Sequence, residues 1–198
     1  MGSAVARLLL RDPVLDRLAY RCPDGCSRTR TCCVGLVVEL SRREVRAIDT
    51  LMDELVALLP HLRDGDAYAN VFVDDPPDMV IEERDDGSCP FLYRTKGRAL
   101  CGIHSVALAT GRSVASVKPA ACRHWPLMLV PDRGRVRVTV QPTAARIGCV
   151  APRAELPGHP SLAAAFAAEL AELDGRAQCL AESPAGARTR RRRRTRVR

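Results

Sequence analysis

The most informative stretch of the chain reads CGIHSVALATGRSVASVKPAACRHWPL and covers residues 101–127. Its pattern predicts a helix over 102–110 that ends at Gly111, since glycine is typical of helix C-termini. A shorter helical turn is predicted over 119–124, because Pro119 is favoured at the start of a helix. A cysteine stands in or beside each predicted helix, so the same stretch carries both the fold and the candidate chemistry.

The two cysteines of this stretch have surroundings that favour metal binding. Cys122 would lie near the start of its helical turn, where the cationic neighbours Lys118 and Arg123 favour the thiolate. Cys101 and His104 are three residues apart and would share one helix face. His104 is a candidate ligand, a hydrogen-bond donor to a ligand, or a polar residue without such a role; the last two interpretations together are favoured.

Cysteine is the most unusual residue type here, with 9 among 198 residues, whereas aromatic residues make up only 4%. Soft thiolates are preferred ligands of zinc and of iron–sulfur clusters. Ligands from distant segments would also stabilise a domain whose core contains few aromatic residues. The predicted metal ligands are Cys22, Cys26, Cys32, Cys33, Cys89, Cys101 and Cys122, with Cys149 as an eighth candidate.

This set is larger than the four thiolates that one zinc ion or one cluster requires. The chain would then hold two centres or one polynuclear centre, or else some cysteines do not bind metal. Cys32 and Cys33 would point to opposite sides of an extended segment. Cys149 is equally suited to the core, and Cys179 lies in a polar end segment where we expect no role. Buried thiols without metal, or disulfides, are the alternatives for the whole set.

The remaining pattern predicts a small single α+β domain with short strands, a β-hairpin and several helices, organised around the cysteine-ligated metal centre. Ser41 and Glu44 form a capping box, and helical spacing follows over 42–59 until Pro60 ends it. Strands are predicted at 35–40, 70–73 and 79–83, a hairpin at 127–141, and a further helix at 161–174.

Three parts are predicted along the chain: an N-terminal extension at 1–21, the metal-binding domain at 22–180 and a disordered arginine-rich tail at 181–198. The eight arginines of 188–198 account for the whole net charge of +8, because the remainder has equal numbers of basic and acidic residues. Such a tail can bind phosphates without sequence preference, yet no aromatic residue alternates with the arginines. A solvated end is therefore favoured over a nucleic-acid partner, and no protein partner is indicated.

The beginning of the chain indicates the cellular compartment. Its first apolar run ends at Leu10 and contains Arg7, which is too short and too charged for a secretory signal. No stretch approaches the roughly 18–20 apolar residues that span a bilayer. We therefore expect a cytoplasmic protein without a membrane partner, in which the thiols stay reduced.

A family resemblance lies in the order CPDGC, TCCVG, SCPFL, LCGIHSVALATGR and KPAACRHWPL over residues 22–130. This order resembles the bacterial cysteine-cluster proteins of the CxxCxxCC type, which are described as zinc- or iron-chelating. The resemblance implies that the seven cysteines from Cys22 to Cys122 hold zinc or an iron–sulfur cluster. The first spacing is wider here, and relatives often have Tyr at the position of His104. One branch is similar to flagellin lysine N-methylases, but no cofactor-binding glycine loop is present to carry that activity over.

The sequence thus predicts a protein that binds an iron–sulfur cluster or zinc through clustered cysteines. One alternative is a modifying enzyme, for example one like a protein methyltransferase, that uses the cluster as a scaffold. A metal storage or delivery protein is the other. No Walker loop, GxGxxG, GxSxG or HExxH motif occurs, so no catalytic residue is assigned. The many cysteines and few candidate histidine ligands favour the cluster slightly over zinc.

Overall fold

The structure of the protein, a computed structural model, describes residues 9–21, 31–75, 78–133 and 135–182. Within them the predicted α+β class is confirmed. The strands are β1 (Leu9–Arg11), β2 (Leu18–Tyr20), β3 (Glu39–Leu40), β4 (Arg63–Asp64), β5 (Ala67–Tyr68), β6 (Phe72–Asp75), β7 (Asp78–Ile81), β8 (Leu92–Thr95), β9 (Arg98–Cys101), β10 (Leu127–Asp132), β11 (Arg135–Val140) and β12 (Val150–Pro152). The helices are α1 (Val14–Arg17), α2 (Arg42–Asp49), α3 (Met52–Leu58), α4 (Gly102–Ala109), α5 (Val114–Val117), α6 (Ala120–His124), α7 (Thr143–Ile147), α8 (Leu162–Ala165) and α9 (Ala167–Glu182), with a 3₁₀ helix at Pro60–Leu62.

The chain divides into two compact units. The first, called the hairpin unit, comprises Met1–Arg21, Pro126–Pro142 and Val150–Arg198. The second, called the cysteine unit, comprises Cys22–Trp125 and Thr143–Cys149. The predicted end of the N-terminal extension, residue 21, is also a boundary of these units.

The hairpin unit is built on the β-hairpin that alternating apolar residues predict at 127–141. Its strands β10 and β11 are antiparallel, and β1 joins β11 in parallel. A second small sheet pairs β12 with β2. The predicted helix at 161–174 forms as α8 and α9, interrupted at Phe166, whose ring packs edge-on against Tyr20 with 4.7 Å between centroids. Leu15, Val138 and Leu162 are fully buried in this unit.

The cysteine unit has a three-stranded antiparallel sheet in the order β3-β7-β6 and two further hairpins, β4–β5 and β8–β9. Its core is formed mainly by α2, α3 and α4, and its most deeply buried side chains include Ile48, Leu55 and Phe91. Cys89, Cys101 and Cys122 pack against this core. Three of the predicted ligands therefore lie at the edge of the apolar interior.

The helix predicted over 42–59 is present, but it is broken in the middle. The capping box forms as predicted, since the Ser41 hydroxyl accepts from Glu44 N–H and the Glu44 carboxylate accepts from Ser41 N–H. Helix α2 ends where the Thr50 hydroxyl donates to the Ala47 carbonyl oxygen and Leu51 N–H bonds three residues back to Ile48. The local hydrogen bonds of Thr50 compete with the helical ladder, and α3 restarts one residue after Leu51.

The predicted strands are shorter or displaced. Only the last two residues of 35–40 form a strand, and at the start of this stretch Gly35 has a positive φ of 66°, which is not extended backbone. The strands predicted at 70–73 and 79–83 form as β6 and β7, displaced by one to two residues. Helices α4 and α6 match their predictions at 102–110 and 119–124, and Gly111 has a positive φ just after α4.

Some predictions concern residues whose structure is not described. Cys22 and Cys26 lie outside the described residues, as does nearly all of the arginine-rich tail, from residue 183 onward. Among the described residues, every helix is too short or too polar to cross a membrane.

Gly102 allows α4 to pack closely against α3 and against the segment before β8. A β-carbon at this position would lie 2.7 Å from Leu59 Cδ1 and 3.2 Å from the Phe91 carbonyl oxygen. That carbonyl also accepts the Gly102 N–H at 2.7 Å, so it cannot retreat without losing this hydrogen bond. A side chain at residue 102 would therefore disturb the position of the neighbouring Cys101.

We expect Gly102→Ala to lower the free energy of unfolding by about 1–3 kcal/mol, because it overpacks a tight contact. Chemical denaturation measures the effect. The matched control is Gly175→Ala in α9, where a β-carbon meets nothing within 4 Å. That change should leave stability the same or raise it by up to about 1 kcal/mol, since alanine favours a helix. Equal effects of the two substitutions would contradict this account of Gly102.

Candidate metal centre

Five of the predicted ligands come from four separate segments of the cysteine unit. Cys32 and Cys33 lie in a turn before β3, and Cys89 lies in the loop between β7 and β8. Cys101 is the last residue of β9 and the N-cap of α4, and Cys122 is in α6. All five are partly buried free thiols.

A short backbone bridge joins the first two segments. Cys89 N–H donates to the Cys33 carbonyl oxygen at 2.8 Å, and Gly35 N–H donates to the Gly87 carbonyl oxygen at 2.9 Å. Between these bonds, Val34 and Ser88 pair as an isolated antiparallel bridge. The bridge therefore holds Cys33 beside Cys89 although 56 positions separate them in sequence.

The segment with Cys32 and Cys33 is a turn, in agreement with the loop-like character of this part of the sequence. Val34 N–H bonds to the Thr31 carbonyl oxygen at 3.2 Å, and Cys33 N–H donates to the hydroxyl of Thr31, which is 2% exposed. The Cys33 thiol hydrogen-bonds to the Cys32 sulfur. Opposite orientations were predicted for an extended segment only, so that prediction does not apply to this turn.

Backbone amides act on the Cys89 and Cys101 sulfurs and lower the pKa of both thiols. Phe91 N–H donates to the sulfur of Cys89, and the N–H groups of Ile103 and His104, in the first turn of α4, donate to that of Cys101. His61 Nε2 donates to the Pro90 carbonyl oxygen at 2.7 Å and so holds the turn that follows Cys89. Hydrogen bonds of this kind stabilise thiolates and tune metal–sulfur sites.

Helix α6, which carries Cys122, is held in place by Glu44. Glu44 Oε1 accepts Ala120 N–H at 2.8 Å, while Oε2 accepts from both the backbone and the hydroxyl of Ser41. One carboxylate thus caps α2 and also satisfies a free amide at the start of α6. The capping box was predictable from sequence, but the bond to Ala120 was not, since it crosses 76 residues.

The five thiols influence one another electrostatically. The charge of Cys101 raises the pKa of Cys33, Cys89 and Cys122, and the charge of Cys32 acts on all four of the others. Because such effects weaken with distance, they indicate that the four segments converge in one region.

Burial determines the protonation state of most of these thiols. It raises the pKa of Cys89 to about 12, and it also raises the pKa of Cys101 and Cys122. The pKa of Cys33 is raised chiefly because its thiol donates to Cys32. The same hydrogen bond lowers the pKa of Cys32. Without a bound cation, most of the group is therefore neutral at physiological pH.

Lys118 is the cation that acts on most of the set. Its charge lowers the pKa of Cys32, Cys101 and Cys122. The charge of Lys118 acts on Cys122 in the predicted direction, but burial and the neighbouring sulfurs outweigh it and raise the pKa of this thiol.

The structure does not place His104 or Cys149 among the five interacting thiols. His104 is half-buried, and burial, followed by the charge of Lys118, lowers its pKa. The Cys149 thiol donates to the Ala144 carbonyl oxygen at 3.7 Å, so its membership stays a prediction. Cys179 lies in α9 of the hairpin unit.

The five thiols lie in one region, but they are not arranged as a preformed metal site. Among the residues that the structure describes, no group of three or more His, Cys, Asp or Glu side chains is arranged to hold a metal ion. The donor chemistry nevertheless fits a soft metal, because sulfur dominates the group. Binding would have to draw the sulfurs closer together and displace their protons, as is usual when metal binding and folding are coupled.

We expect Glu44→Gln to lower the free energy of unfolding by about 1–2 kcal/mol. A carboxylate accepts through both oxygens, whereas an amide has only one acceptor, so one of the two helix starts loses its partner. Denaturant titration measures the loss. Glu39→Gln, an exposed carboxylate in β3, is the matched control and should change stability by less than about 0.5 kcal/mol. A control effect as large as that of Glu44→Gln would argue against the bridging role.

We expect the metal-free, reduced protein to lose stability as pH rises above about 9. Unfolded thiols ionise near their ordinary pKa, whereas Cys89 in the folded protein stays protonated to about pH 12. Its contribution is therefore complete below about pH 9 and is lost at up to about 1.4 kcal/mol per pH unit as pH rises toward 12.

Urea unfolding at several pH values between 8 and 11 tests this pH dependence. Cys89→Ser removes one of the raised thiols, so its stability should fall less steeply with pH than that of the wild type. Identical slopes for the two proteins would refute the assignment of the effect to Cys89.

The chain was compared with protein-family models, curated proteins and solved structures. No family model, no curated protein and no solved structure matches it. The grounds for a function are therefore the residues and the geometry of the cysteine unit.

Proposed function

We propose that this protein binds an iron–sulfur cluster or a zinc ion through cysteines of its cysteine unit. The observation that carries the proposal is the convergence of Cys32, Cys33, Cys89, Cys101 and Cys122, which come from four chain segments and act on one another's charge. Cys22, Cys26 and Cys149 complete the candidate set from the sequence.

The energetics of the group favour a bound cation. Neutral thiols pack well against an apolar core, but ionising several of them together is costly because each charge opposes the next. A bound cluster or zinc ion would supply the positive charge that stabilises the thiolates. The residues of this chain would add the N–H donors of Phe91, Ile103 and His104, and the ammonium group of Lys118 nearby.

The composition of the group favours an iron–sulfur cluster over zinc. Both suit thiolates, but the chain offers many cysteines and few candidate histidine ligands, and zinc sites commonly include histidine. The resemblance to the cysteine-cluster proteins supports the same proposal, since it predicts these cysteines as the ligands.

The burial of the sulfurs favours a stable centre over the storage or delivery of metal. Cys89, Cys101 and Cys122 pack against the hydrophobic core, and the Cys101 segment is held by tight contacts at Gly102. A delivery protein needs ligands that exchange metal readily, which such packing opposes.

The alternative of a modifying enzyme would require, in addition to the metal centre, a substrate-binding site next to it.

We expect anaerobically purified protein to contain iron with a matching amount of acid-labile sulfide and a brown chromophore, because sulfur-rich sites of this kind bind clusters. Cys101→Ser and Cys122→Ser should each lose at least about half of the bound metal, since each removes a thiolate of the converging group. Cys179→Ser is the matched control and should keep the full content.

Zinc without sulfide or colour would assign a structural zinc site instead of a cluster. No metal in the wild type, or unchanged metal content in both variants, would overturn the proposal.

A further inference from the structure

A cleft of about 490 Å³ lies beside the converging cysteines within the cysteine unit. Val34 and Ser88, which form the bridge next to Cys33 and Cys89, line one part of it. Leu92, which lines it as well, is paired with Cys101 across the β8–β9 hairpin. The residues that position the cysteines therefore also shape this cleft, whose volume suits a small organic molecule.

Part of the lining of the cleft is apolar. Leu58, at the end of α3, and Val34 are 37% and 38% exposed, respectively, which is high for large hydrophobic side chains. Leu59, Pro60 and Leu92 continue this surface. An apolar ligand group would cover the exposed parts of Leu58 and Val34 and remove them from water, which favours binding.

The charged residues that line the cleft leave an excess of positive charge, since Arg84 and Arg94 face the single carboxylate of Asp86. Arg84 is already engaged, because its Nε donates to the Ser88 hydroxyl at 2.9 Å and its terminal nitrogen lies 3.7 Å from the Asp86 carboxylate. Arg94 lines the cleft and is exposed, and among the described residues its side chain makes no hydrogen bond or ion pair. Its guanidinium is thus available for an anion.

The neighbouring polar groups are held in fixed positions. The Tyr93 hydroxyl donates to the Ser105 hydroxyl at 2.9 Å, and His61 Nε2 donates to the Pro90 carbonyl oxygen. These bonds orient two cleft-lining rings while Arg94 stays free to meet a ligand. The cleft therefore combines an apolar wall, oriented rings and one available guanidinium.

We propose that this cleft binds a small carboxylate with an apolar body, with the carboxylate paired to Arg94. The planar guanidinium fork matches a carboxylate through two parallel hydrogen bonds. This proposal goes beyond the metal-binding function and does not depend on it. It would place an organic anion against the backbone that carries Cys33 and Cys89.

Benzoate is the probe that tests the proposal, because it joins a carboxylate to an apolar ring. Calorimetric or NMR titration of the full chain should show saturable benzoate binding. Arg94→Ala should weaken it about tenfold. Arg98→Ala, on the facing strand of the same hairpin but not in the cleft, removes the same charge and should leave the affinity unchanged. Benzamide, which has the same shape without the charge, should bind about tenfold more weakly than benzoate.

Several outcomes would overturn the proposal: no saturable benzoate binding to the wild type, equal effects of the two arginine substitutions, or equal affinity for benzamide. Metal content is measured on the same preparations. Retained metal with lost benzoate binding in Arg94→Ala places the effect in the cleft. If wild-type protein without any metal binds benzoate, the result supports the cleft proposal and contradicts the metal-binding proposal.

Discussion

The cysteine unit depends on two backbone hydrogen bonds, from Cys89 to Cys33 and from Gly35 to Gly87. They fasten the turn that carries Cys32 and Cys33 to the loop that carries Cys89. That loop leads directly into β8, whose partner β9 ends at Cys101. Without this bridge, the two cysteine groups along the chain would have no common location. It also explains why the cleft lies where it does, since Val34 and Ser88 stand between the two bonds.

The positions of the sulfurs reflect a balance between packing and charge. Burial in the cysteine unit raises the pKa of most of the thiols, and the charge of an ionised thiol raises the pKa of its neighbours further. Backbone amides near Cys89 and Cys101, together with Lys118, act in the other direction. Two opposing influences of this kind are what a site needs if it is to stay neutral when empty and ionise when a cation arrives.

Local signals predicted much of the secondary structure correctly. The capping box at Ser41, the ends of α4 and α6 and the β10–β11 hairpin each depend on residues close in sequence. The helix over 42–59 was predicted as continuous because apolar spacing persists through its middle. Its break at Thr50 arises from competing side-chain and backbone hydrogen bonds, which periodicity does not register.

By itself the sequence determined the α+β class, the candidate cysteines and the helices that carry two of them, because residue type, spacing and capping act locally. Only the tertiary structure decided that Cys33 lies beside Cys89, that Glu44 holds α6, and that burial outweighs Lys118 at Cys122. Each of these depends on contacts between segments far apart in sequence. Hydrogen bonding and desolvation across such contacts follow from the packed core, and no short pattern of residues encodes them.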